Sequence, residues 1–363
     1  YNFTYFLLWS LLFYVGLTIF SVPYVAMGYE MSDDFHERTN IMAVAQFIGQ
    51  WAWVIAPWFW VIMDDQNFFK SSEIAVRELA IWVGLVCMTF AMIPAIFIKG
   101  KSTLNEDYDS ITFKNIIKSF YTIFVINFGQ AFKIKAFRKL CIATFLIFNA
   151  FNTVAAFTYF IIVFFLFNGV TGPDGAWWWP TLFGRVGALV TTFLVIPAVT
   201  ILSNKVGKKK AFIVSQSVSI IGYIMLWFLF IPGKPHMFLL ALPFFSFGIG
   251  GLFTLMMSMT ADVIDLDELN TGKRREGVFG AIYWWMVKFG FGIAGGLSGV
   301  ILSVIGWESG GATQTEEALY GLRLFFSGLP ILGTLLAIYV MRDYEITEEK
   351  AKEISAELAA RKA

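Results

Sequence analysis

Leu79-Ala-Ile-Trp-Val-Gly-Leu-Val-Cys-Met-Thr-Phe-Ala-Met-Ile-Pro-Ala-Ile-Phe-Ile98 runs for twenty residues without a charge. An α-helix needs about 20 apolar residues to cross ~30 Å of hydrocarbon. This stretch has that length and nothing that water would favour. Eight others flank it, at 3–29, 41–63, 140–168, 176–204, 211–232, 236–261, 278–307 and 319–341. A water-soluble chain would scatter charge through such helices at a period of 3.6. The fold class is therefore an all-α membrane protein with nine transmembrane helices visible.

Composition agrees. Apolar residues make up 58% of the chain and charged residues 15%, against roughly 25% charged in an average soluble domain. A net charge of +1 predicts no nucleic-acid or strongly acidic partner; the expected contacts are membrane lipid and a small-molecule solute. The two cysteines, Cys87 and Cys141, lie inside apolar runs and offer neither a disulfide framework nor a metal spacing. An integral-membrane enzyme would need a cluster of His, Asp or Glu at the membrane face. The two histidines, His36 and His236, fall in loops on opposite sides.

The loops fix an orientation. Counting alternate loops and the tail together, one side carries 21 Lys and Arg and the other three, Lys70, Arg77 and Lys234. Positive charge stays on the cytoplasmic side. The reading is a multi-pass protein of the plasma (inner) membrane with a cytoplasmic C-terminus. The longest basic loop, 99–139, reads as a cytoplasmic linker with a short amphipathic helix near 111–120. It separates a remnant bundle, 1–98, from a six-helix bundle, 140–341. Residues 342–363 read as an exposed, A/E/K-rich cytoplasmic tail helix.

Three spans, a linker and six spans match a six-plus-six plan from which the first three helices are absent. Six plus six is the major facilitator fold, in which two halves rock about a central cavity. An internal echo supports that pairing. The loop after the first span, Glu30 to Thr39, runs from acidic to basic through Glu37 and Arg38. The loop after the seventh, Asp262 to Glu276, does the same through Asp262, Asp265, Arg274 and Arg275. These would be equivalent positions of helices four and ten, suited to gating. The turn Leu202-Ser-Asn-Lys-Val-Gly-Lys-Lys-Lys210, with Lys205 and Gly207, resembles the major facilitator loop signature, with Asn204 where an Asp is usual. An ordinary basic inside loop would read the same way.

Ionisable groups inside hydrocarbon are costly and mark function by default. Lys288 sits about ten residues into its span, ~15 Å deep. It fits a cavity lysine facing solute or a carboxylate, or a structural lysine tied to backbone carbonyls. Arg185 lines the cavity or reaches the interface with its stem; Arg323 reads as an interfacial snorkel. Asn149 and Asn152, three apart, and Gln46 and Gln50, four apart, bind solute hydroxyls or neighbouring helices. Phe253 and Trp284 are candidates to stack on a pyranose, though such rings are more often packing. Gly248, Gly250 and Gly251, then Gly290, Gly292, Gly295 and Gly296, permit close helix approach, and Pro23 should bend the first span.

The segment from Ser21 through Pro23 and Tyr24 to Thr39 resembles the helix-four signature of the glycoside–pentoside–hexuronide:cation symporters, the melibiose carrier group. Ala261-Asp-Val-Ile-Asp265, Lys273-Arg-Arg-Glu-Gly277 and Met286-Val-Lys-Phe-Gly290 resemble that group's helix ten to helix eleven. The resemblance implies a secondary active transporter of a sugar, glycoside or hexuronide that works by alternating access as a monomer. Lys288 would lie in its cavity, with Ser21, Tyr24 and Gln46 on the substrate path. The chain departs from the melibiose carrier at Ser21, where that carrier has an Asp, and at Gln46, where it has an Arg. Both departures argue against melibiose itself. A coupling cation, Na+ or H+, would be held mainly by carboxylates of helix two, outside this chain; no other cofactor is expected. The same branch includes lysophospholipid carriers, so an amphiphile is the alternative solute.

Overall fold

A computed structural model describes residues 2–30, 71–97, 121–171, 178–272, 275–311 and 313–362, with short pieces between 48 and 69 and at 118, 175 and 176. The described chain is helical, and eight of its helices are long and apolar enough to span a bilayer. The expected second span, 41–63, falls largely outside the described residues. So do Gln46, Glu37, Arg38 and most of the amphipathic stretch at 111–120. The chain forms two compact units, residues 1–110 and 111–363, dividing within the basic linker.

The first unit holds α1 (Asn2–Glu30) and α2 (Ser72–Phe97). Residues 4–20 of α1 are exposed without exception. On α2 the exposed side chains include Trp82, Phe90 and Phe97. Water would penalise such surface at roughly 25 cal/mol per Å². Lipid tails carry no such penalty.

The second unit begins with a π-helical turn, Thr122–Asn127, and a short helix, α3 (Phe128–Lys133). Extended Ile134 breaks the helix before α4 (Lys135–Phe160), which continues π-helically through Ile161–Leu166. Next come α5 (Trp179–Val190), a π-helical segment (Thr191–Val195) and α6 (Ile196–Val206), which together make one span. Gly207, at φ +82°, turns the chain into α7 (Lys208–Leu229). A 3₁₀ turn, Pro235–Ala241, leads into α8 (Leu242–Thr271). Left-handed Gly272, at φ +67°, ends α8 and bonds back to the Glu268 carbonyl. Then follow α9 (Glu276–Val304) and α10 (Glu316–Arg342). The α10 start is capped by the Thr315 side chain, which accepts from the Ala318 amide, with Glu316 and Glu317 in the first turn.

Helix α4 is central. It packs on α8, α9 and α10, and α7 packs on α8 and α10. Without a hydrophobic drive in lipid, such a bundle coheres through close packing and interhelical hydrogen bonds, and α7 against α8 shows both. A Cβ on Gly222 would lie 2.2 Å from the Phe245 amide nitrogen, and one on Gly251 would lie 2.3 Å from the Ser215 hydroxyl. Between them the buried Gln216 amide donates to the Gly248 carbonyl at 2.9 Å. The close approach expected at Gly248, Gly250 and Gly251 is thus present. The second glycine group divides. Gly290 packs on Phe148 of α4, whereas a Cβ on Gly292, Gly295, Gly296 or Gly299 would meet nothing within 4 Å.

The tail corrects an expectation. Residues Glu348–Lys362 form α11, and it is docked rather than freely exposed. Ile354 and Leu358 are buried, as are Tyr344 and Ile346 on the approach to it. Arg361 donates to the Leu269 carbonyl at 2.7 Å, fastening α11 to the end of α8. The composition hid an apolar stripe at positions 351, 354 and 358, a helical spacing with enough surface to seat one face.

Candidate functional site

Lys288 lies twelve residues into α9 and is exposed. It forms no hydrogen bond or ion pair with any described residue. On a helix, positions three and four apart share a face. Trp284, Phe291 and Gly292 therefore flank Lys288, with Gly295 one turn further on. The face thus carries a lysine between two aromatic positions, with glycines alongside. The opposite face of α9, through Tyr283, Val287, Gly290 and Ala294, is buried and meets α4.

Aromatic contacts link this face to two other helices. The Phe291 ring lies 5.6 Å from that of Phe148 on α4, and Phe148 lies 5.4 Å edge-on from Phe253 on α8. Phe253 and Trp284 are each half-buried against the core, so both serve packing and keep an accessible edge. The two α4 amides differ. Asn152 is buried and donates to the Phe148 carbonyl of its own helix at 2.8 Å. Asn149 is half-buried and donates to the Phe145 carbonyl at 3.2 Å, and its Oδ1 is enclosed without a partner among the described residues. An amide acceptor left unpaired costs about 1–3 kcal/mol. Asn149 stands beside Gly290, so α9 holds it near the Lys288 turn.

Other predicted residues sit elsewhere. Arg185 is half-buried on α5. Ser21 is half-buried in α1, and Tyr24 is exposed one turn on, stacked on Phe20 at 5.7 Å. These two belong to the first unit. Lys205 is exposed at the end of α6.

The basic-loop end is organised by ion pairs that span elements. Lys208, the first residue of α7, donates to both carboxylate oxygens of Asp262 at 2.7 Å. Gly207 makes the turn that presents it, and a side chain there would reach Glu348 of α11. Asp265 is half-buried one turn along from Asp262 and has its own partner. Buried Asp267 receives a two-pronged contact from Arg275 at 2.8 and 2.6 Å, and the third Arg275 bond reaches Gln130 of α3 at 2.6 Å. That carboxylate raises the Arg275 pKa. Lys139 donates to the Asp343 carbonyl and lies 4.0 Å from Glu345. Lys208, Arg275 and Lys139 were visible only as members of basic loops. The available signal for Arg275 was an acid eight residues earlier, across a helix-ending glycine.

Comparison with known proteins places this geometry in a lineage. The family profile described as MFS/sugar transport protein matches residues 1–348. A glucuronide carrier protein homolog of Escherichia coli (strain K12) is 30% identical over 182 residues, covering 50% of this chain and 39% of that protein. Symporter YnaJ of Bacillus subtilis (strain 168) is 24% identical over 379 residues, covering 98% of this chain and 73% of that protein. An isoprimeverose transporter of Lactiplantibacillus pentosus is 26% identical over 177 residues, 47% of this chain and 35% of that protein. The matches to the first and third thus span well under half of those relatives' length. All three carry the names of carriers and none that of an enzyme. With a profile match across nearly its whole length on an all-helical, membrane-spanning chain, the protein belongs to the MFS/sugar transport protein family.

Proposed function

We propose that this chain acts in a cation-coupled secondary carrier for a saccharide, and that Lys288 contacts the solute. The observation that carries the reading is Lys288 itself. It is a charge placed midway along an apolar helix, exposed, and without a counter-ion among the described residues. An ammonium in hydrocarbon is retained only for a role. Flanking rings at Trp284 and Phe291 suit the apolar face of a sugar ring, and the Asn149 oxygen, enclosed against α9 in this conformation, suits a hydroxyl donor once alternating access parts α4 from α9. A carboxylate-bearing sugar, a hexuronide or glucuronide, complements the lysine best, and the named glucuronide carrier relative agrees with that choice. The basic-loop bias supports an inner-membrane protein whose C-terminus is cytoplasmic. The ion pairs at that end support a gating role for Asp262, Asp265 and Gly207, joined by Lys208. We expect a monomer that works by alternating access.

The test is uptake of a radiolabelled glucuronide by cells making the complete protein, with and without a sodium or proton gradient. Lys288→Ala should abolish accumulation at equal expression, and Lys288→Arg should retain part of it. Undiminished uptake in Lys288→Ala would remove the proposal.

A further inference from the structure

The far end of the second unit, opposite the basic loops, carries a second cation in an apolar setting. Arg323 stands seven residues into α10, roughly 10 Å from its start. Its guanidinium is held between two rings, 4.3 Å from the Phe165 centroid and 4.6 Å from that of Trp227. One terminal nitrogen donates to the Trp227 carbonyl at 2.7 Å. Among the described residues no carboxylate pairs with it. Guanidinium has five donors, and this bond uses one. The level is that of the interface. Trp227 is two residues from the end of α7, and Tyr320 sits edge-on to it at 5.8 Å. Trp and Tyr concentrate at that depth in membrane proteins.

Beside it, sharing Trp227, a groove of about 230 Å³ runs along the seam between α7 and α10, lined by Ile224, Trp227, Tyr320, Leu324, Gly328 and Ile331. Position 320 to position 331 is roughly 16 Å along a helix, about half the ~30 Å hydrocarbon thickness. The missing side chain of Gly328 keeps the groove open, since a Cβ there would approach only Leu324, at 4.0 Å. Ser327, one turn below Arg323, lines the wall, is 3% exposed, and has a hydroxyl with no hydrogen-bond partner among the described residues.

We propose that this seam is a binding site for one glycerophospholipid of the leaflet opposite the basic loops. Its phosphate lies on Arg323 and one acyl chain lies in the groove. The occupant follows from the chemistry in sequence: an anion at the interface, then hydrocarbon for the depth of a single leaflet. A soluble anion would leave the groove empty, and a neutral lipid would leave Arg323 without a counter-ion. Phe165 and Trp227 hold the guanidinium in place before the lipid arrives, so little ordering is required on binding. The site uses no residue of the proposed solute face and stands or falls independently of it.

The experiment is native mass spectrometry of the full chain in detergent, titrated with phosphatidylglycerol and, separately, with diacylglycerol of the same chains. The wild type should retain one phosphatidylglycerol and hold diacylglycerol at least tenfold more weakly. Arg323→Gln and Gly328→Leu should each lower the retained fraction at least fivefold. Retention unchanged in both variants, or equal retention of the two lipids, overturns the proposal. If either variant misfolds, a photoactivatable phosphatidylglycerol on the wild type decides. Label concentrated on peptides 220–232 and 316–334 supports the site, and label spread evenly over the lipid-facing helices overturns it.

Discussion

The Lys208 ammonium lies 2.7 Å from each carboxylate oxygen of Asp262, a residue 54 positions later in the chain. That contact pins the turn between α6 and α7 to α8, more than two turns before that helix ends. Asp262 keeps only 16% of its side chain exposed, so the pair is shielded from solvent more than a surface salt bridge. Removing one partner leaves the other charge uncompensated, which costs about 3 kcal/mol or more for a buried pair and less here. Lys208→Ala and Asp262→Asn should each lower the melting temperature. The exchanged pair Lys208→Asp with Asp262→Lys should recover part of the loss. A double-mutant cycle showing strict additivity would mean that the two charges do not interact.

Two glycines, one on α7 and one on α9, should respond oppositely to the same change. Gly222→Ala puts a methyl 2.2 Å from the Phe245 backbone, so α7 and α8 must separate. The expected loss is about 1–3 kcal/mol. Gly292→Ala meets nothing within 4 Å and gains helix propensity, worth up to about 1 kcal/mol. Thermal melts of the two variants in one detergent check the contrast, and equal destabilisation would contradict it.

Asn149 separates packing from binding. Its enclosed Oδ1 has no partner among the described residues, so Asn149→Leu removes an unsatisfied acceptor and should hold or raise the melting temperature by the equivalent of about 1 kcal/mol. The same variant should lower glucuronide uptake several-fold. A variant that is both more stable and fully active would show that the amide does not touch solute.

The tail makes a local prediction. Burying an isoleucine is worth about 2 kcal/mol in water, and Ile354 is 1% exposed. Ile354→Glu should free α11 and raise amide exchange across 348–362 about thirtyfold, the fold-change that this energy implies. Exchange at wild-type rates would mean that the helix is held by Arg361 and its neighbours alone.

What the chain discloses before folding depends on the solvent of each part. Spans in lipid must be apolar throughout, so Leu79–Ile98 and its counterparts are legible from composition, and an isolated charge such as Lys288 stands out. Which cation meets Asp262 was not legible. Lys205, Lys208, Lys209 and Lys210 crowd one turn, and only the left-handed φ of Gly207 decides that Lys208 starts α7 facing α8. Packing identity was hidden for a similar reason. Phe253 and Trp284 are half-buried in the core, because a large ring in an apolar helix satisfies a neighbour, a lipid or a sugar equally well. Gln216 in the span 211–232 did carry a signal, an amide in hydrocarbon, and it is spent on the Gly248 carbonyl.

The span from Trp179 to Val206 is not a uniform rod, because Thr191–Val195 winds with wider turns. Each such turn accommodates one residue more than an ordinary helical one. Rewinding those same residues as ordinary helix, with none excised, would rotate everything before them by about 100° around the axis, one residue's step. Arg185 would then point to another quarter of its surroundings, although no residue near it had been altered. The azimuth of that guanidinium thus depends on how loosely the coil is wound two turns away.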